Sequence, residues 1–276
     1  MDYVKPVDVA SAMVETGRRK LGMTATDCLI RGALAGSILG AATSLAFTGT
    51  LQTGVPLVGA LIFPVGLCII VLLGLDLVTG SFGLLPLPLL QQEFSGQTVL
   101  MNWFFVFIGN LIGSMGYGAL LAIALTNFGA TAPTGVAAQI IAIAQAKTTG
   151  YEALGFAGMI TVFVKAILCN WMVCLAIVMA MTSASTVGKI AAAWMPMLIF
   201  FAQGFEHSVV NMFVIPTGML MGAKVTIAQW WLWNQIPVTL GNVVGGSIFT
   251  GLALYLTHKP RAAVAPLTMP SQVPAE

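Results

Sequence analysis

Apolar positions run through this chain in blocks far longer than a soluble helix or strand needs. Between Arg31 and Asp76, between Glu93 and Lys147, and between Lys224 and Lys259 no Asp, Glu, Lys or Arg occurs. A helix crosses the roughly 30 Å hydrocarbon layer with about 20 apolar residues. Inside that layer every backbone N–H and C=O must be satisfied by the protein itself, so such blocks are read as helices. They lack the alternation of membrane-barrel strands. The pattern predicts an all-α membrane protein with spans over about 30–50, 57–92, 103–126, 157–182, 190–221 and 236–257. Gly54-Val55-Pro56, Ser95-Gly96 and the stretch with Asn127, Gly129, Pro133 and Gly135 supply turns between them.

Composition sharpens this picture. Of 276 residues, 58% are hydrophobic and 7% charged, against roughly 25% charged in soluble domains. The formal charge of +2 is too small for a phosphate-backbone footprint, so no nucleic-acid partner is expected. Cys28, Cys68, Cys169 and Cys174 follow no disulfide or metal spacing and read as small buried apolar residues. Six spans put Lys5, Arg18, Arg19, Lys20, Arg31, Lys189, Lys259 and Arg261 on one side and only Lys147 and Lys224 on the other. The positive-inside bias then assigns both termini to the cytoplasm, in a cell (inner) membrane. No short apolar segment with a cleavage site opens the chain, so no removable signal is expected. Residues 1–28 read as a cytoplasmic segment whose Val9, Met13 and Leu21 share one face of an interfacial amphipathic helix. Residues 29–258 form the transmembrane domain, with halves of about 29–127 and 155–258. The Pro-rich tail 259–276 is expected to be disordered. Trp103, Trp194 and the Trp230–Trp233 cluster fall at span ends, as aromatic belts do.

The second and fifth spans are each too long for one crossing and carry related elements in mid-course. One reads Gly74-Leu75-Asp76-Leu77-Val78-Thr79-Gly80-Ser81-Phe82 and the other Gly204-Phe205-Glu206-His207-Ser208-Val209-Val210-Asn211-Met212. In the span after each, Gly109-Asn110-Leu111-Ile112-Gly113 answers Gly241-Asn242-Val243-Val244-Gly245. With three spans per half, the second half must enter the membrane inverted. Inverted repeats with broken helices bring backbone ends to a site near the midplane, and irregular backbone survives there only around an enclosed cavity. A pore or transporter follows. Small-xxx-small glycines (Gly32, Gly36, Gly40; Gly109, Gly113; Gly241, Gly245) predict close helix packing.

Asp76, Lys165, Glu206 and His207 are the ionisable residues within the spans. A central charge costs at least about 2.5–3.5 kcal/mol on insertion scales, so each should face a cavity or a partner. His207 suits proton exchange near neutral pH. Glu206 is read as structural, accepting backbone N–H groups in the break or pairing with Lys165, and Asp76 as its counterpart in the first break. Lys165 would draw an anion towards an apolar passage. Thr79 offers a hydroxyl beside the first break and Asn211 an amide beside the second. One histidine without a second ligand at metal spacing predicts no metal, and no cofactor is implied. A nucleophile with a positioned base is lacking, which argues against an enzyme.

These residues resemble the formate/nitrite transporter family over nearly the whole chain. The resemblance rests on Gly204–Met212, on Lys165-Ala166-Ile167-Leu168-Cys169-Asn170-Trp171-Met172-Val173-Cys174-Leu175-Ala176 and on Pro237-Val238-Thr239-Leu240-Gly241-Asn242. It implies an aquaporin-like six-helix protomer, a homopentamer in the lipid bilayer and one pore per protomer. By position, His207 and Thr79 would form the central polar pair. Phe63, Leu67 and Phe200 would form the outer constriction and Leu77 the inner one, with Asn170 and Lys165 lining an approach. The family's usual Glu-Leu-Phe-Thr is replaced here by Asp76-Leu77-Val78-Thr79, followed by Leu84-Leu85-Pro86-Leu87-Pro88, which leaves loop shape less defined than the histidine. The implied substrate is a small monovalent anion, nitrite before formate because of the Lys165–Ala176 segment, then hydrosulfide, protonated near His207. A water or glycerol pore of the same fold would carry Asn-Pro-Ala motifs, which the chain lacks.

Overall fold

The computed structural model describes residues 2–258; the tail expected to be disordered lies outside the described residues. The main helices are α1 (Pro6–Leu21), α2 (Ala25–Thr53), α3 (Pro56–Leu72), α4 (Val78–Leu90), α5 (Gly96–Thr126), α6 (Val136–Ala146), α7 (Gly155–Ala180), α8 (Thr186–Ala202), α9 (Ser208–Leu220) and α10 (Ile227–His258), with one further turn at Thr149–Glu152. Four of them (α2, α5, α7 and α10) are long and apolar enough to cross a membrane. The interrupted spans appear as the pairs α3/α4 and α8/α9.

Local chemistry sets the ends. Thr24 and Ser95 cap α2 and α5 by accepting the backbone N–H three residues on. Such a cap is worth about 1 kcal/mol. Gly54 (φ +69°) closes α2, its N–H reaching Thr50 O, and Pro56 starts α3 where no donor is required. Both breaks are built alike. Gly74 (φ +63°) and Gly204 (φ +64°) turn into the left-handed region, where side chains with a Cβ are strained. The next amide reaches back five residues, Leu75 N to Ile70 O at 2.9 Å and Phe205 N to Phe200 O at 3.2 Å. Leu77 and His207 are then extended before α4 and α9 begin.

The glycine stripes act as close-contact faces. A Cβ on Gly113 would lie 1.8 Å from Ala33 O, and one on Gly36 2.3 Å from Asn110 O, so α2 and α5 touch backbone to backbone. In the other half, a Cβ on Gly245 would lie 2.2 Å from Ile167 O on α7. Ser37 Oγ adds a 3.0 Å bond to Gly113 O across the first of these contacts.

Two features depart from the sequence expectation. The apolar face of α1 is covered by protein instead of lying in the interface: Val9, Met13 and Leu21 pack with Leu84, Leu85, Leu87 and Val178. Gly17 admits this approach, since its Cβ would meet Leu84 O at 2.8 Å. Arg18 fastens the contact, donating to Glu93 at 2.5 Å and to Gln91 at 3.0 Å, and this pairing holds the Glu93 carboxyl below the usual carboxylate range. Its contribution is present above the ordinary carboxylate pKa and is lost as pH falls through the lowered value. Gln91 also bonds Tyr255 OH of α10 at 2.8 Å, so both described ends of the chain lie on one side, here termed the terminal side. The second departure is α6, which follows the predicted turn and packs against α9, Ala144 meeting Gly218. Trp103, read as a belt residue, stands edge-on to Phe82 at 4.9 Å.

Gly113→Ala should lower thermal stability in detergent by about 1–3 kcal/mol through overpacking. Gly116→Ala, whose Cβ meets nothing within 4 Å, should not. Equal melting temperatures for the two variants would contradict backbone contact between α2 and α5.

Candidate functional site

Each break exposes amides that no helix satisfies, and one asparagine per half meets them. Asn110 Oδ1 accepts Val78 N at 2.9 Å while its Nδ2 donates to Asp76 O (2.8 Å) and Gly32 O (2.9 Å). Asn242 Oδ1 accepts Ser208 N at 2.9 Å while its Nδ2 donates to Glu206 O (3.0 Å) and Ala166 O (2.8 Å). Both asparagines are fully buried. Each therefore ties a first helical N–H, the carbonyl of the acidic residue and a carbonyl of a neighbouring span.

The acidic side chains turn away from those amides and pair with lysines. Lys20 of α1 binds Asp76, which also accepts Ser81 Oγ at 3.0 Å. Lys147 binds Glu206 at 2.8 Å, and that carboxylate also accepts Tyr151 OH and Asn211 Nδ2, each at 2.8 Å. This corrects the expected Lys165–Glu206 pair and the expected backbone acceptor role. Lys165 meets Glu206 only through its own carbonyl, 3.3 Å from Glu206 N, and its ammonium lies 5.8 Å from the Tyr151 ring centre, within cation–π range. Asn211, expected to line the passage, is spent on Glu206 and on Asn234 Oδ1 (2.8 Å).

His207 caps α9. Its Nδ1 accepts Val210 N at 3.2 Å and its Nε2 lies 3.2 Å from Thr79 Oγ1. With the Nδ1 lone pair engaged by a backbone N–H, the neutral ring carries its hydrogen on Nε2 and donates it to Thr79. The threonine hydroxyl hydrogen is then free for another acceptor. The two half-helices thus meet through their first turns, where the aligned peptide dipoles give positive partial charge.

Two cavities approach this meeting point. One of about 490 Å³, on the side away from the termini, is lined by Lys147, Lys165, Tyr151, Phe200, Glu206 and His207 among others. The other, about 550 Å³ on the terminal side, has Leu67, Leu77 and Asp76 in its wall. Leu67 therefore stands with Leu77 and not in the ring with Phe200, because α3 runs from the far side to the break and Leu67 lies a turn closer to that break than Phe63. Phe63 is fully buried, stacked on Phe201 at 4.0 Å and edge-on to Phe200 at 5.5 Å. Phe200 in turn stacks against the His207 ring at 5.7 Å. Asn170, expected to line an approach, lines neither cavity. Its Nδ2 bonds Thr79 O (3.0 Å) and Asn242 O (2.6 Å), which joins the two halves.

Sequence reasoning passed over Lys20, Lys147, Tyr151 and Asn234. A signal for the lysines existed in the repeat: Lys20 precedes Asp76 by 56 residues and Lys147 precedes Glu206 by 59. Asn234 had one too: it precedes Asn242 by as many residues as Asn102 precedes Asn110, and the two side chains bond Lys147 O (2.9 Å) and Lys20 O (2.8 Å) alike. Tyr151 is brought in only by the folded chain.

Comparison with known proteins gives a consistent result. The sequence pattern described as "Formate/nitrite transporter" matches residues 7–256. A protein named "Probable formate transporter" from Methanothermobacter thermautotrophicus is 34% identical over 271 residues, covering 93% of this chain and 97% of that protein. A solved structure titled "FNT family ion channel" superposes with a TM-score of 0.78 at 29% identity, covering 92% of this chain and 99% of that one. Another, "Pentameric formate channel with formate bound", gives 0.67 at 26% identity, covering 85% and 97%.

Lys147→Met leaves the Glu206 carboxylate buried without its counter-charge and should cost about 3–5 kcal/mol. Adding Glu206→Gln should restore part of that loss. Thermal unfolding of both variants checks the coupling, and strictly additive losses would show that the pair is not one unit.

Proposed function

Since the chain belongs to the formate/nitrite transporter family, whose matched members are channels and transporters and not enzymes, we propose that it conducts a small monovalent anion through each protomer of a homopentamer. Formate stands first because the named relatives and the pentameric neighbour are named for it. Nitrite, equally small and favoured by the Lys165–Ala176 segment, stands second. The excess of basic residues on the terminal side supports termini in the cytoplasm and a cell-membrane location.

Lys165 carries the capture step. Lys147 is neutralised by Glu206, whereas Lys165 has no carboxylate partner among the described residues and lines the same far-side cavity. Its field raises the local anion concentration. Beyond it lie Phe200 and, on the other side of the His207–Thr79 pair, Leu67 and Leu77. A bare ion entering such walls loses its hydration without replacement, which costs several kcal/mol or more. The neutral acid crosses at lower cost.

The Val210 N–H on Nδ1 decides the role of the histidine in this reading. An imidazolium would need a hydrogen on Nδ1, against that N–H, and would break the helix cap. We therefore assign His207 as a neutral hydrogen-bond donor, with the Thr79 hydroxyl beside it. The anion takes its proton from hydronium in the water of the cavity, leaving water behind, and crosses as formic or nitrous acid.

In liposomes, flux should rise as pH falls, in wild type and in His207→Asn, whose amide oxygen can still cap α9. A flat pH profile in His207→Asn alone would instead establish a histidine relay. Lys165→Gln should reduce formate uptake from dilute solution several-fold with little change at saturation. Water outpacing both formate and nitrite in wild-type protein would favour a neutral-solute pore.

A further inference from the structure

The two cavities differ in charge. The far-side wall holds one cation without a carboxylate, Lys165. The terminal-side wall holds Arg19, Lys20, Arg31 and Lys189 against the single carboxylate of Asp76, and Lys20 already occupies that carboxylate. The other three are lightly engaged. Arg31 donates once, to Gly74 O at 3.4 Å, Arg19 once, to Thr16 Oγ1 at 3.1 Å, and Lys189 once, to Ala180 O at 3.4 Å. None has a carboxylate partner among the described residues. They come from three elements, α2, α1 and the first turn of α8, and converge on one space. A positive-inside bias requires basic residues on one side but not their convergence.

Size points the same way. At about 550 Å³ the cavity falls in the range of sites for small organic ligands, about 300–1,000 Å³, and far exceeds a three-heavy-atom anion. A monovalent ion would leave two of the three charges uncompensated. Two guanidinium forks and one ammonium suit a group with several anionic oxygens, and guanidinium matches phosphate in a bidentate manner.

We propose that the terminal-side cavity binds a phosphate-bearing anion through Arg31, Arg19 and Lys189, and that the occupant closes the passage at Leu67 and Leu77. The closing effect rests on the permeation reading above; the binding does not. Phosphate can reach the cavity free in solution or as a phospholipid headgroup from the bilayer, and the chemistry is common to both.

Titration of the purified full-length protein in detergent with pyrophosphate tests the binding. One equivalent per chain is expected. Arg31→Gln with Lys189→Gln should weaken it at least about tenfold, as expected on losing two charge-assisted contacts, while Arg31→Lys, which keeps the charge but loses the bidentate fork, weakens it less than that double variant and Lys165→Gln leaves it unchanged. Pyrophosphate added on the terminal side of oriented liposomes should lower formate flux, and added on the far side should not. In nanodiscs, loss of pyrophosphate binding with phosphatidylglycerol but not with phosphatidylcholine identifies the headgroup as occupant. Retention in both identifies free phosphate. Unchanged affinity in the double variant, or no binding by wild type, overturns the site and leaves these cations a topological role. Binding without any formate flux would sink the permeation reading and keep the site.

Discussion

A helix interrupted inside a bilayer leaves amides and carbonyls with no water to receive them, and the rest of this structure depends on how those groups are satisfied. Asn110 and Asn242 do so with three bonds each, all of them to backbone. An unpaired buried polar group costs roughly 1–3 kcal/mol in proteins, and each break presents several. The glycine contacts belong to the same solution. Only because Gly36 and Gly245 lack a Cβ can α2 approach α5 and α7 approach α10 closely enough for the asparagines to reach across.

Charge is handled with similar economy. The acid in each break has a lysine of its own and a hydroxyl or amide five residues on. Each pair is close to neutral and contributes little net field at the centre. What remains uncompensated is placed at the mouths, and it is placed unequally. The centre keeps only neutral donors, an imidazole N–H and a hydroxyl, beside the first turns of two half-helices. Such a centre can hydrogen-bond an acid without holding an ion so tightly that it cannot leave.

Much of this was legible in the sequence, for identifiable reasons. The uncharged runs announced helices, because hydrocarbon tolerates little else. Gly74 and Gly204, each two residues before an acid, announced the breaks, since a left-handed turn and a buried carboxylate are both costly outside a special context. The paired Gly-Asn elements disclosed the inverted repeat. What escaped were contacts made across the fold. Lys147 reads in the sequence as a loop cation because its distance from Glu206 along the chain hides a 2.8 Å ion pair. Lys165 fell beside the right acid in space but through its carbonyl, not its ammonium. Asn170, Asn211 and Leu67 were assigned by position in the chain. Which way each side chain points depends on helix rotation about its axis, which apolar runs of nearly uniform composition do not encode. The apolar face of α1 likewise suits lipid or protein equally well, and only Gly17 fitting over Leu84 decides between them.

The asparagine ties have a mechanical consequence. Each fastens its break at two points to the full-length span that carries the asparagine and ties that span to a neighbour by a third bond, so the half-helix ends cannot slide or unwind without rupturing several bonds together. Transient widening of the passage must then come from rotamer changes of Phe200, Leu67 and Leu77, not from hinge bending of the backbone. Side-chain rotation of this kind is fast, on the picosecond-to-nanosecond scale where neighbours leave room. A duct braced in this way behaves as a stiff frame with pliable bristles, and its throughput is governed by the bristles.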